Sequence, residues 1–214
     1  MSGTKLDTRE AILRAAEAEF AAHGLRGARA EAIARRAGVN DALPFYHFGS
    51  KAKLYAAVVE RILLRLEDLV NRTVADYGTF ERRLRVFVRG LTEYLAENPH
   101  WLRIVVRELL DNSPQVSAIF RDHLEPLVAK SQLELAREIK TGKLKHNEPL
   151  QIMISVVGEI VTYFLAAPLL KGLGYRDPFS KPALANRVRV ATEVLLTGIL
   201  VEKTPSASIK RARK

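Results

Sequence analysis

Residues 24–51, GLRGARAEAIARRAGVNDALPFYHFGSK, end in a cluster of aromatic and basic side chains: Phe45, Tyr46, His47, Phe48 and Lys51. Rings, an imidazole and an ammonium gathered this closely suit phosphates and base edges. Lys51 follows Ser50, a residue type that caps helix starts, so an ammonium and the free backbone N–H groups of the next helix converge on one anion. The chemistry this implies is contact with DNA.

Two short helices around a glycine turn must hold that cluster. Gly38 separates the apolar-periodic stretch Ala30–Ala37 from a new start signal at Asn40, and glycine supplies the positive φ of a tight inter-helix turn. Ile33, Ala34 and Ala37 line the inner face of the first helix, Val39 plugs the turn, and Leu43 carries the apolar side onward. The second helix, about residues 41–47, is two turns long and melts alone. Residues 7–23 supply its partner, with Ile12, Leu13, Ala16 and Phe20 at helical spacing, Arg9, Glu10, Arg14, Glu17 and Glu19 mostly elsewhere, and Gly24 as the stop. Three helices of this kind form a DNA-binding unit whose last helix enters the major groove.

The stretch from Thr8 to Val58 resembles the DNA-binding domain of the TetR family of bacterial transcriptional regulators. The matching elements are Ile12-Leu13-x-Ala15-Ala16-x-x-x-Phe20-x-x-x-Gly24, then Ile33-Ala34-x-x-Ala37-Gly38-Val39, then Tyr46-His47-Phe48-x-Ser50-Lys51-x-x-Leu54. The resemblance implies that Asp41, Ala42 and Leu43 face base edges, and that Tyr46, His47 and Lys51 grip phosphates with help from Arg29. Phe45 stands where the family commonly has tyrosine, which removes a hydroxyl from that contact; Ala28 replaces a frequent threonine. Pro44 lies inside the recognition helix, near enough to its first turn that its missing N–H costs little. Asp41 suits a cytosine amino group, and Ala42 or Leu43 a thymine methyl; alternatively Asp41 only favours the helix N-terminus electrostatically.

Composition agrees with such a regulator. The 214 residues, 48% of them hydrophobic, suffice for a sizeable core in one or two domains, and zero cysteines exclude disulfides and thiolate chemistry. The start MSGTKLDTRE lacks an apolar signal region, so the expected location is cytoplasmic. The net charge of +10 is uneven: residues 1–55 hold nine Lys/Arg against six Asp/Glu, net +3, while residues 203–214 add +5 without an acid. The tail from residue 204 is expected to be disordered, either as a plain solvated segment or as an aid to nonspecific DNA affinity.

The remainder reads as helix throughout. Leu54, Val58, Ile62, Leu66 and Leu69 make an amphipathic stripe from Lys51 to about Ala75, and further helices are expected at about 79–97, 99–111, 115–141, 148–171 and 182–202. Pro126 predicts a kink or break. Leu150–Leu170 is long and apolar enough to span a bilayer, but Gln151, Glu159 and Pro168 favour a helix of a soluble protein, so no membrane is expected. The fold class is all-α: residues 1–52 a helix-turn-helix DNA-binding domain, 53–203 a helical effector-binding and dimerisation domain, 204–214 the basic tail.

Ser155, Gly158, Thr162 and Ala166 share one face of the apolar helix, and Leu184, Val188, Ala191, Leu195 and Gly198 offer a matching side on the last. The resemblance implies that such helices pair two copies into a four-helix bundle; an intramolecular core accounts for the same stripes. It also implies a small-molecule cavity in the second domain. Trp101, Glu108, Glu159 and Tyr163 are the candidates to line it, for an aromatic or cationic effector, unless each acid is paired internally instead. The five histidines lack metal-ligand spacing and no phosphate loop or nucleophile motif occurs, so no metal, cofactor or enzymatic activity is expected. The expected function is a dimeric repressor released from a palindromic operator by a small molecule. The alternative is a helical scaffold with a degenerate DNA-binding unit, prompted by Phe45, Ala28 and the weakly polar recognition helix.

Overall fold

The computed structural model describes residues 5–111, 114–145 and 147–201, which form nine helices. α1 (Lys5–Gly27), α2 (Ala30–Ala37) and α3 (Leu43–Phe48) make the N-terminal unit; α4 (Lys51–Ala75) runs out of it. α5 (Phe80–Glu97), α6 (Pro99–Asp111), α7 (Pro114–Lys140), α8 (Pro149–Gly172) and α9 (Lys181–Ile199) complete the chain. The basic segment 204–214 lies outside the described residues.

Local chemistry sets the breaks in the N-terminal unit. Gly24, at φ 67° and ψ 177°, interrupts α1, so residues 25–27 are a single further turn. Gly38 takes the left-handed conformation at φ 69°, and its N–H donates back to α2. Ser50 Oγ accepts from the backbone N–H of Lys53 at 3.2 Å and caps α4. Ile12, Ala16, Phe20, Ile33 and Val58 are fully shielded from solvent and form the centre of the unit. Phe20 meets the ring of Tyr55 edge-on, with centroids 4.9 Å apart. Arg61 of α4 reaches back to Glu10 at 2.8 Å and to Glu17, tying α1 to α4 along their length.

α4 is the spine, packing on α1, α3, α5, α6 and α7. Of the kink or break expected at Pro126, the break does not occur: α7 continues through it as one helix. Pro126 and Asp122, whose carbonyl loses its partner to the proline, both face solvent, where the carbonyl is open to hydration. The turn after α7 is held by an antiparallel bridge between Leu144 and Leu200, so the segment that leaves α7 and the end of α9 meet at one place.

α8 is apolar on nearly all sides, with a mean hydropathy of 1.9 over its most apolar window, of which 28% is buried. Ile152, Val156, Ile160, Phe164 and Ala167 face the core, whereas Ile154, Leu165 and Leu169 stay exposed on the opposite side.

Candidate functional site

The recognition helix α3 starts two residues later than its sequence pattern indicates. Asn40 Oδ1 accepts from the backbone N–H of Ala42 at 2.9 Å, which fixes the turn, and Pro44 occupies the second helical position, where no intrahelical donor is required. Pro44 and Phe48 are buried, so Asp41, Ala42, Phe45 and Tyr46 form the outward side, with Tyr46 71% exposed. His47 is half-buried and stacks edge-on against Tyr46, with centroids 5.3 Å apart. Leu43 is half-buried against the core and presents only part of its side chain outward.

Lys51 has a structural duty that its position in the sequence does not reveal. Its ammonium donates to the backbone carbonyls of Ala28 at 3.0 Å and Arg26 at 3.2 Å, clamping the corner between α1 and α2. An ammonium carries three donors, which leaves one for a phosphate. Arg29 is exposed at the start of α2, its backbone N–H donating to the buried Glu19 at 3.4 Å. Arg26, Arg35, Arg36 and Lys53 are exposed in the same unit and strengthen its positive field. They fill the polar positions between the apolar ones, the one sequence signal that marks them.

A cavity of about 440 Å³ lies between α4, α5, α6, α7 and α8. Its walls are almost wholly apolar, among them Leu66, Phe87, Trp101, Val105, Leu124 and Val156. The charged groups among its lining are Arg83, Glu134 and Glu138; Arg83 pairs with Glu138, which Lys143 also approaches at 3.1 Å.

Of the four residues expected to line a pocket, only Trp101 does so. Glu108 shares its helical face but sits two turns further on, about 10 Å along the axis, where the neighbour is α4. There it is 6% exposed and accepts from the hydroxyl of Tyr55 at 3.0 Å. Glu159 pairs with Arg187 at 2.7 Å, and Tyr163, whose hydroxyl burial pushes above its ordinary pKa, donates to the carbonyl of Pro178 at 2.6 Å. The acids expected in the pocket are thus satisfied elsewhere, as the cost of burying a lone carboxylate requires.

The small-residue stripes also divide. Ser155 and Thr162 are exposed and Gly158 and Ala166 partly so, on the open side of α8. On α9 the expected face turns inward: Ala191 is fully buried, Leu195 is 6% exposed and Val188 is half-buried. Those residues belong to the core of one chain, because α9 packs that side on α5 and α8. The open side of α9 carries Val194 and Gly198. Among the described residues no group of three or more His, Cys, Asp or Glu is arranged to hold a metal ion.

The family model described as "Bacterial regulatory proteins, tetR family" matches residues 12–58, and that of the C-terminal domain of the HTH-type transcriptional dual regulator CecR matches residues 80–199. The chain belongs to the TetR family. It is a DNA-binding transcriptional regulator. The regulator is similar to the HTH-type transcriptional repressor AcnR of Corynebacterium efficiens, 26% identical over 75% of this chain and 81% of the relative. It is also similar to the HTH-type transcriptional regulator RutR of Escherichia coli K12, 27% identical over 86% and 89%. Its fold resembles that of the transcriptional regulator FadR of Bacillus subtilis in complex with stearoyl-CoA, with a TM-score of 0.69 and 16% identity over 88% of this chain and 98% of that one.

Proposed function

We propose that the regulator is a cytoplasmic, dimeric repressor that holds a palindromic operator and releases it when an apolar small molecule fills the cavity. The observation that carries this reading is the connection of an exposed recognition surface, Asp41, Ala42, Phe45 and Tyr46, through the continuous helix α4 to an apolar cavity. AcnR, a relative, is a repressor, and FadR of Bacillus subtilis, of similar fold, forms a complex with stearoyl-CoA; both support this reading. The lining favours an aliphatic or aromatic molecule over a cationic one, since it is almost wholly apolar and its two acids are already paired, Glu138 with Arg83 and Glu134 with Arg137. Residues 1–52 act as the DNA-binding domain and residues 53–203 as the effector and dimerisation domain, a division that falls inside α4 and so transmits motion instead of isolating it.

Selection of bound fragments from a random DNA pool at about 0.15 M salt tests the DNA-binding half. Wild type is expected to recover one palindrome, and Tyr46→Ala to bind it about 10- to 100-fold more weakly, because one contact is lost in each half-site. Enrichment of no motif would favour the scaffold reading.

Trp101, the single tryptophan, lines the cavity and reports its filling. Titration with methyl laurate is expected to change Trp101 emission saturably and to weaken operator binding about 5- to 150-fold, the usual span of allosteric coupling. Emission indifferent to methyl laurate would sink the cavity reading.

A further inference from the structure

The lining of the cavity changes character along its length. α7 runs beside α4 in the same direction, with His123 3.7 Å from Glu67 and Lys130 Nζ donating to Asn71 at 2.7 Å. It lines the chamber from Phe120 to Glu138, about 27 Å of helix at about 1.5 Å per residue. The first part of that stretch contributes Phe120, Leu124 and Val128, and the last part adds Ser131, Glu134 and Glu138. α4 repeats the change, from Leu63 and Leu66 to Thr73 near its end, and Arg83 enters from the first turn of α5 to meet Glu138. Among the described residues, the five lining side chains that carry a charge or a hydroxyl therefore gather beside the α4–α5 turn. The opposite end is closed by α6, whose Trp101 meets Tyr94 near the far end of α5 with ring centroids 5.6 Å apart.

We propose that the effector is an amphipathic monocarboxylate, its carboxylate held by Arg83 beside the α4–α5 turn and its hydrocarbon body lying toward α6. This rests on reading the cavity as the effector site. The side chain of Arg83 is 18% exposed, and a guanidinium carries five N–H donors, of which Glu138 engages one. Among the described residues, the charged side chains of the lining and their ion-pair partners are three cations, Arg83, Arg137 and Lys143, against two acids, Glu134 and Glu138. Glu138 is shared between Arg83 and Lys143, so one positive charge is left over and a single negative charge on the ligand balances it. An ammonium head would add to the surplus. An ester accepts a hydrogen bond from Arg83 but leaves the charge unbalanced, and bonds between ionised partners are the stronger kind. The apolar walls on α6 and α8 require the remainder of the molecule to be hydrocarbon, since they offer it no polar partner.

Laurate and methyl laurate share a hydrocarbon body and differ in the charge of the head, so the ratio of their affinities isolates the head. The full chain is titrated with each probe below micelle formation, at about pH 7, where a carboxylic acid is ionised, and Trp101 emission is followed. Wild type is expected to bind laurate about tenfold or more tighter than methyl laurate. Arg83→Gln is expected to bring that ratio to about one or below, because the head then faces Glu138 and Glu134 without a cation between them. Glu138→Gln removes an acid and frees Arg83, and is expected to raise the ratio about threefold or more. A general loosening of the cavity weakens both probes together and cancels in the ratio. Methyl laurate binding wild type as tightly as laurate overturns the carboxylate site and leaves the cavity reading standing, and so does an unchanged ratio in Arg83→Gln. If Arg83→Gln does not fold, Glu138→Gln decides: a ratio that stays or falls in that variant overturns the site as well. Emission indifferent to both probes removes the cavity reading and the carboxylate site with it.

Discussion

Leu165→Arg is expected to convert the regulator into a monomer and to lower operator affinity by about two orders of magnitude or more. Leu165 is 51% exposed in the middle of the open side of α8, with Ile154 at 56% and Leu169 at 65% along the same face and Val194 at 55% on α9. A continuous apolar face of this kind on a DNA-binding chain is the mark of a partner surface. A second copy is the partner that the proposed palindrome demands, since twofold symmetry in the DNA is read by twofold symmetry in the protein. The small residues Ser155, Gly158 and Thr162 beside it let two helices approach closely. Arginine at the centre would bury an uncompensated charge on each side of the axis. Without the dimer each half-site is bound alone and the benefit of linking them is lost. Light scattering and an operator titration check both statements. Leu133→Arg is the control, because Leu133 is 54% exposed but lies on α7, away from that face, and its variant is expected to remain dimeric. A Leu165→Arg protein that stays dimeric would remove α8 from the interface.

The helices themselves were legible in the residues because each begins or ends on chemistry that leaves a local trace. Gly24 and Gly38 take positive φ where the chain turns, Ser50 caps α4, and Pro99, Pro114 and Pro149 open helices. Which side of an apolar helix faces inward was far less legible. α8 is apolar nearly all round, so periodicity cannot choose its buried face, and α9 presents its clean stripe to its own chain, leaving the sparser Val194 side open. The lining of the cavity was hard to read for a related reason. Polar residues in apolar helices drew attention as pocket groups, yet Glu108 and Glu159 are there because Tyr55 and Arg187, 53 and 28 residues away in sequence, satisfy them. Pairings at that range have no local signature, and neither does the second duty of Lys51 at the α1 corner.

Phe20→Ala is expected to cost about 3–5 kcal/mol, the usual loss for emptying an aromatic site in a packed core, and thereby to lower the melting temperature by roughly 10–15 °C. Phe20 is fully buried and its ring meets Tyr55 edge-on at 4.9 Å, so its removal strips α1 of an aromatic contact with α4 and leaves a void beside Tyr55. The surroundings cannot collapse into it easily: Arg61 holds α1 at Glu10 and Glu17, and Arg107 fixes the corner at Gly24. α3 has six residues and depends entirely on α1, α2 and α4 for its shape. Operator binding should therefore fail at a lower temperature than the helical signal of the whole chain, since the cavity-bearing helices bury Val88, Leu91 and Ile160 in the part of the core that lies beyond the N-terminal unit. Phe20→Leu refills most of the space and is expected to recover more than half of the lost stability. Thermal melts followed by circular dichroism, beside operator affinity measured at successive temperatures, separate the two signals. If both were lost together in Phe20→Ala, the N-terminal unit and the rest of the chain would unfold as one cooperative body, and α4 would couple them in stability as firmly as it joins them in sequence.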